Sequence, residues 1–415
     1  MTFWHHIRSL RADRTAGIGI VVAASLPVFL GGVALAVDTV QWSLAKRQMQ
    51  RQADSGALAG AFGLAQARSV TTSVNRDLAK NNFVPLTINP VIENAPTAGA
   101  YAGNAMAVRV VLETDMSLPF SGLFISGVRI GAEATAAVLG LGEYCVVALD
   151  TSDETGIDMT GNTSVKLGCG MISNTVGSES VDAGGSSTIE ASPIAGVGVV
   201  PPAPSNYATG TTLISYAIPQ QDPFADLADP VMTGTTYGRN AANIGPNKPL
   251  ETLNPGVYQS MSLNGNVKLN PGTYYIKGDL GFGSQAIVEA IGVTFVLTNN
   301  NPASGVGNVD MNGTSQMTLS APTTGTYAGV LFYQDRRAPT SGGSKFNGTS
   351  SSLMQGAIYM PREDITFNGT TGMDVKCLQM VTWRMTFTGT SEITNVCPAN
   401  SGAGSFPGTV IRLVG

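Results

Sequence analysis

DMNGTSQMTL (310–319), KFNGTSSSLM (345–354), TFNGTTGMDV (366–375) and TFTGTSEITN (386–395) are four copies of one short phrase. Each opens on a β-leaning pair, meets a glycine, passes through small polar residues and resumes alternation. The same phrase is legible, more worn, in DMTGNTSVKL (158–167), DAGGSSTIEA (182–191), SLNGNVKL (262–269) and GFGSQAIVEA (281–290). The marker glycines fall at 161, 184, 265, 283, 313, 348, 369 and 389, with several steps of 18–23 residues. A unit this short cannot bury its own apolar face, so copies must stack. Strand-only units stack most economically as a right-handed parallel β-helix-like solenoid, with glycine at the corner where φ turns positive. An antiparallel sandwich with coincidental Asn-Gly turns is the competing architecture.

The copies are interrupted between Gly184 and Gly265 by SPIAGVGVVPPAPSNYATGTT and PQQDPFADLADP, whose proline and glycine density reads as a surface excursion. The expected division is therefore 143–415 for the repeat region, with an insertion at about 192–252. Before it, Met106 to Glu113 and Val128 to Ala136 alternate with a period of two and predict half-buried strands within a small α+β segment, 69–142.

Residues 1–68 have another character. Ala16–Val37, AGIGIVVAASLPVFLGGVALAV, contains no charged residue and, at about 1.5 Å per residue, is long enough to cross a bilayer core. Helix formers continue past it, and Ala53, Ala57, Ala61 and Ala65 share one face, so one helix is expected from about Thr15 to Ala67, with Pro27 inside it. Gly56 and Gly60 then form a close-packing surface. The fold class expected is mainly β: an N-terminal transmembrane helix running into a pilin-like α+β segment, followed by the solenoid.

Arg8, Arg11 and Arg14 precede the span, and Lys46, Arg47 and Arg51 follow it, so loop charge nearly ties. A short basic tail is easily retained, which favours a cytoplasmic N-terminus and export of everything downstream. A cleaved signal peptide, with Ala34-Leu35-Ala36 as its site, is the rival, although the apolar run exceeds the usual length of such segments.

Charged residues make up 12% of the chain, about half the globular norm, alongside 50 glycines and 22 prolines, a composition suited to short strands and turns. The net charge of −5, without basic clusters, argues against a nucleic-acid partner. The charge runs Asp335-Arg336-Arg337 and Arg362-Glu363-Asp364 lie beside Pro339 and Pro361 and read as solvated turns rather than a catalytic carboxylate pair. His5 and His6 precede the span and cannot serve an exported centre. No catalytic, cofactor or metal site is expected, and no small-molecule substrate.

Four cysteines remain. Cys377 and Cys397 lie eight residues after Gly369 and Gly389, which puts them in one column on successive levels; Cys145 and Cys169 form the matching pair. Parallel strands about 4.8 Å apart bring such columns into disulfide range, with a buried thiol ladder as the alternative.

The N-terminal residues also resemble the TadE/TadG-like family of tight-adherence (Flp-type) pilus-assembly proteins. The likeness rests on the Arg-rich head RADRTAG, the span with Pro27, LAVD (35–38) and QRQADSGALAGA (50–61). NPGTYYIKG, LSAPTTGTYAGVLFYQDRR and GAIYMPRED resemble the long TadG-type members. Pilin-like members carry a glutamate five residues into the processed helix, and none follows Gly17 or Gly19 here. The resemblance implies a non-enzymatic structural or assembly component. It would be anchored in the inner membrane lipid through Ala16–Val37, with a β-helix in the periplasm or at the surface contacting other pilus-assembly proteins. A surface adhesin or carbohydrate-binding β-helix is the alternative, drawing on Tyr258, Tyr274, Tyr275, Tyr327, Tyr333, Tyr359 and Trp383; a polysaccharide-active enzyme is a more distant one.

Overall fold

A computed structural model describes residues 17–120, 127–347, 352–369, 373–389, 392–395 and 406–415. The chain divides into two compact units, residues 1–139 with 411–415, and residues 140–410.

The first unit is built on α1, Gly17–Ala65, one unbroken helix with Pro27 inside it. It stops where Ala67 adopts a left-handed conformation (φ 52°) and the Arg68 N–H closes onto the Gly63 carbonyl, a common helix ending. Ser69 then caps α2, Val70–Lys80, by accepting from the Thr72 N–H. Three strands follow in antiparallel order: β1 (Val91–Asn94), β2 (Ala107–Met116) and the first part of β3 (Val128–Ala148). Ala45, Met49, Ala53, Ala57 and Ala61 of α1 are buried with Val74 and Leu78 of α2 and with Val108, Val110, Leu112 and Ala134 of the sheet. The expected alanine face is therefore the core face. At the C-terminus, the Val414 N–H returns to the Thr135 carbonyl, so the chain's two distant ends both build this unit.

The second unit consists of parallel ladders. The residue two before, or one before, each marker glycine forms a single buried column: Leu263 pairs with Phe282, Phe282 with Met311, then Phe346, Phe367 and Phe387. The column does not end there. Phe387 pairs with Met159, and Met159 with Ala183. The last copy of the repeat thus lies against the first, and chain order is not stacking order. A second ladder repeats this sequence, with Ile393 on Val165 and Val165 on Ile189. A third runs from Gly256–Tyr258 through Gly272–Ile276, Val293–Leu297 and Val330–Gln334 to the end of β3, where Met380 pairs with Val146, and on to Gly170–Ser173 and Ile194–Gly196.

The interrupting stretch explains this order. The chain leaves the Ile194–Gly196 end, where Ala217 N–H meets the Gly196 carbonyl, and re-enters at the opposite end, where Thr236 pairs with Val257. Between them, residues 218–232 lie along the outer side of the third ladder as a strap. Phe224, Leu227 and Met232 pack on a second apolar cluster that includes Val147, Ile172, Tyr333, Tyr359 and Val381.

Ring contacts thread the interior from Tyr237 through Tyr258, Tyr274, Phe295, Phe332, Phe346 and Phe367 to Phe387, at centroid separations of 4.5–6.1 Å. The expectation that marker glycines supply positive φ applies at Gly161 (76°) and Gly389 (81°) and needs correction at Gly265 and Gly283, whose φ is ordinary. There the reason for glycine is proximity. A Cβ on Gly265 would lie 2.4 Å from the Gly245 carbonyl oxygen, and one on Gly283 would lie 2.3 Å from the Asn264 side chain.

Candidate functional site

Residues 18–37 of α1 are largely exposed: Ile20, Val28, Phe29 and Leu35 all stand open. The contrast begins at Asp38, which is buried and accepts from the Phe120 N–H at 3.3 Å. From there the motif residues have definite tasks. Gln50 donates to Asp54 and to the Glu133 carbonyl of β3, at 2.9 and 2.8 Å. Gln52, buried, donates to the Asn81 carbonyl at the end of α2 (2.6 Å), while Asn81 donates to Ser55 (3.1 Å). Gly60 lets α1 approach β2 and α2 so closely that a Cβ there would lie 2.7 Å from Val108 and 2.9 Å from Val74. The QRQADSGALAGA tract is thus a docking rib for the chain's own sheet and helix, further along the same helix than the exposed apolar stretch.

The two charge runs in the second unit are not solvated turns, and that expectation is corrected. Asp335 is fully buried and accepts from Thr298 Oγ1 (2.6 Å) and from Arg337 Nε and Nη2 (2.9 and 2.7 Å). Burial pushes its pKa up, but the Arg337 and Thr298 hydrogen bonds more than offset this and hold it below the ordinary aspartate value. Glu363, also fully buried, accepts from Gln334 Nε2, the Ser341 hydroxyl and the Ser344 N–H. These residues sit where the third ladder turns into the first, a corner enclosed by the strap and neighbouring levels. Neither carboxylate presents a surface to a substrate.

Arg336 faces the strap. Its guanidinium donates to the carbonyls of Ala225, Phe224 and Leu227 at 2.7–2.9 Å and sits 5.6 Å over the Tyr359 ring. Tyr359 donates to Asp222 at 2.7 Å, and Asn174 exchanges two 2.8 Å bonds with the Gln220 backbone. Asp335 orients Arg337, which reaches the Pro230 carbonyl, so the charge run works as a clamp on residues 220–230. Nothing in the sequence marked Asp222, Gln220 or Asn174 as their partners, because each pair is joined only through the stacking order.

The tyrosines available to a glycan-binding face are elsewhere engaged. Tyr258, Tyr274, Tyr333 and Tyr359 are fully buried, Tyr275 and Tyr327 nearly so, and Trp383 lies under Arg362 (5.7 Å). Among the described residues no group of three or more His, Cys, Asp or Glu could hold a metal ion. His5, His6 and Cys397 lie outside the described residues, as does the Cys377 side chain. Cys145 and Cys169 are disulfide-bonded, with Cα atoms 5.9 Å apart.

No curated protein and no solved structure matches the chain. The family comparison covers α1: residues 16–67 match the Tad family model, Flp pilus-assembly TadE/G-like, and this TadE/G-like domain supports a role in Flp pilus assembly.

Proposed function

We propose that this protein is a membrane-anchored structural component of a tight-adherence, Flp-type pilus system. Residues 16–37 cross the bacterial inner membrane once, the N-terminus stays in the cytoplasm, and the chain from Asp38 onward is exported. One observation carries this reading: the TadE/G-like match coincides with a helix whose first half is uncharged and exposed and whose second half is buried in its own unit. The Cys145–Cys169 bond supports export, since disulfides persist in oxidising compartments. A Cys377–Cys397 bond belongs to the same proposal.

The parallel ladders support a right-handed parallel β-helix as the exported part, because parallel crossovers take that hand almost without exception. Its role is to present a rigid, largely uncharged surface to other pilus components. The carboxylates nearest to a catalytic constellation are consumed by structural bonds, Asp335 by Arg337 and Thr298 and Glu363 by Gln334, Ser341 and Ser344, which supports a non-enzymatic role.

Replacing residues 140–410 with a short Gly/Ser linker tests the proposal in cells carrying the pilus system. Both junctions belong to the first unit, where Thr135 and Val414 are already paired, so the anchor and its unit are retained. Surface attachment is expected to disappear while the shortened protein stays in the membrane fraction. Full attachment would overturn the assembly role of the second unit, and a reporter fused after residue 70 that works only in the cytoplasm would overturn the topology.

A further inference from the structure

The uncharged run ends at Asp38, and the structure brings an aromatic residue from a distant loop to that same height. Phe120 donates its backbone N–H to the Asp38 carboxylate, so the loop between β2 and β3 meets α1 one residue past the end of the run. The Phe120 side chain remains 44% exposed while Asp38 is 3% exposed. The polar atom faces inward to protein, and the ring faces outward.

Apolar exposure continues for two further turns. Trp42 is 47% exposed and Leu44 52% exposed, and Leu44 shares a groove with Phe83, which is 66% exposed. At about 1.5 Å per residue, Trp42 and Leu44 lie roughly 6 and 9 Å beyond Asp38. A bilayer adds roughly 5–8 Å of polar interface on each side of its hydrocarbon core, the depth at which tryptophan rings are enriched. A unit held away from the membrane by a bare helix would gain nothing from three aromatic rings and a leucine at this height. Among the described residues, the one charged residue lining the groove, Asp115, accepts from Arg129.

We infer that the first unit is seated on the membrane surface, with Phe120 at the hydrocarbon boundary, Trp42 in the lipid interface, and Leu44 and Phe83 at its outer edge. This rests on the reading of residues 16–37 as a span. The partner is the lipid surface itself, argued from the continuity of this apolar surface with the exposed stretch of α1. The seat fixes how the unit stands on the bilayer, which a single helix crossing cannot do.

The test uses the full chain reconstituted in phosphatidylcholine/phosphatidylglycerol vesicles, with and without bromine on the acyl chains, and reads tryptophan fluorescence. Trp4→Phe and Trp383→Phe leave Trp42 as the native probe with no change at the surface in question. Adding Trp42→Phe allows single probes at Val28→Trp, Phe120→Trp and Phe62→Trp. The expected result is strong quenching at Val28→Trp, clear quenching with a blue shift at Phe120→Trp and at native Trp42, and none at Phe62→Trp. Quenching at Val28→Trp, with Phe120→Trp and Trp42 as unquenched as Phe62→Trp, would overturn the seat and leave the span intact. No quenching at Val28→Trp would overturn the span and the seat together.

Discussion

Arg384 is ion-paired with the buried carboxylate of Asp150, 234 residues away in sequence. The pair sits on the seam where the last copy of the repeat meets the first. On either side of it, the Leu149 N–H reaches the Thr382 carbonyl (2.8 Å), the Asp150 N–H the Trp383 carbonyl (3.1 Å) and the Met385 N–H the Gly156 carbonyl (2.9 Å). No peptide linkage runs between these levels at the seam. Among the described residues, its hold comes from backbone pairing, from columns that continue across it such as Phe387 on Met159 and Met380 on Val146, and from this ion pair.

That dependence predicts an acid-sensitive seam. Burial pushes Asp150 up, but the Ser152 and Arg384 hydrogen bonds more than compensate and hold it below the ordinary aspartate value. A depressed carboxylate stabilises the fold fully above its unfolded value of about 4, and the contribution vanishes as pH falls through the folded value. Arg384→Met removes the partner and leaves the buried charge with Ser152 alone, at a cost of about 2–4 kcal/mol near neutral pH. Unfolding midpoints of the two proteins should therefore differ widely at pH 7 and converge as pH drops below about 4. A gap that stays constant through that range would remove Asp150 from the account.

Much of the architecture could be read from the residues, for stated reasons. Phe346, Phe367 and Phe387 recur beside their glycines because each must fill the same buried slot, and such periodicity is visible without coordinates. The order of stacking is not visible, because all copies present similar surfaces and nothing local to Phe387 names Met159 as its partner. The same limit hid the fate of Asp335 and Glu363. Beside Pro339 and Pro361 they look like surface turns, and their partners, Thr298 for Asp335 and Gln334 and Ser341 for Glu363, lie on neighbouring levels that only the stacking brings together. In the first unit, the exposed and buried halves of α1 follow directly from charge and alanine spacing.

The strap gives a second prediction. Arg336 donates to the carbonyls of Phe224, Ala225 and Leu227, so Arg336→Ala should loosen residues 222–230 without disturbing the ladders beneath. Loss of charge-assisted bonds worth about 1–3 kcal/mol corresponds to a roughly ten- to hundredfold rise in local opening. Thermolysin should then cut at Phe224 or Leu227 faster by that factor, while the global unfolding midpoint moves little. Equal cleavage rates in the two proteins would mean that the apolar contacts of Phe224 and Leu227 hold the strap unaided.

The two glycines of the G-x-x-x-G in α1 should respond oppositely to the same substitution. A Cβ on Gly56 would meet Leu78, Val74 and Val110 at 3.4–3.6 Å, ordinary contact distances, whereas one on Gly60 would lie 2.7 Å from Val108 and 2.9 Å from Val74. Val108 and Val74 are fully buried and have no room to retreat. Gly56→Ala should therefore stabilise the first unit by up to about 1 kcal/mol, because alanine loses less backbone entropy in a helix. Gly60→Ala should destabilise it by about 1–3 kcal/mol through overpacking. Amide exchange of the α2 residues Val74 and Leu78 in the solubilised full chain reports on this contact directly: slower in the first variant, faster in the second. If both glycines tolerate alanine equally, α1 does not lie as close to β2 as the structure places it.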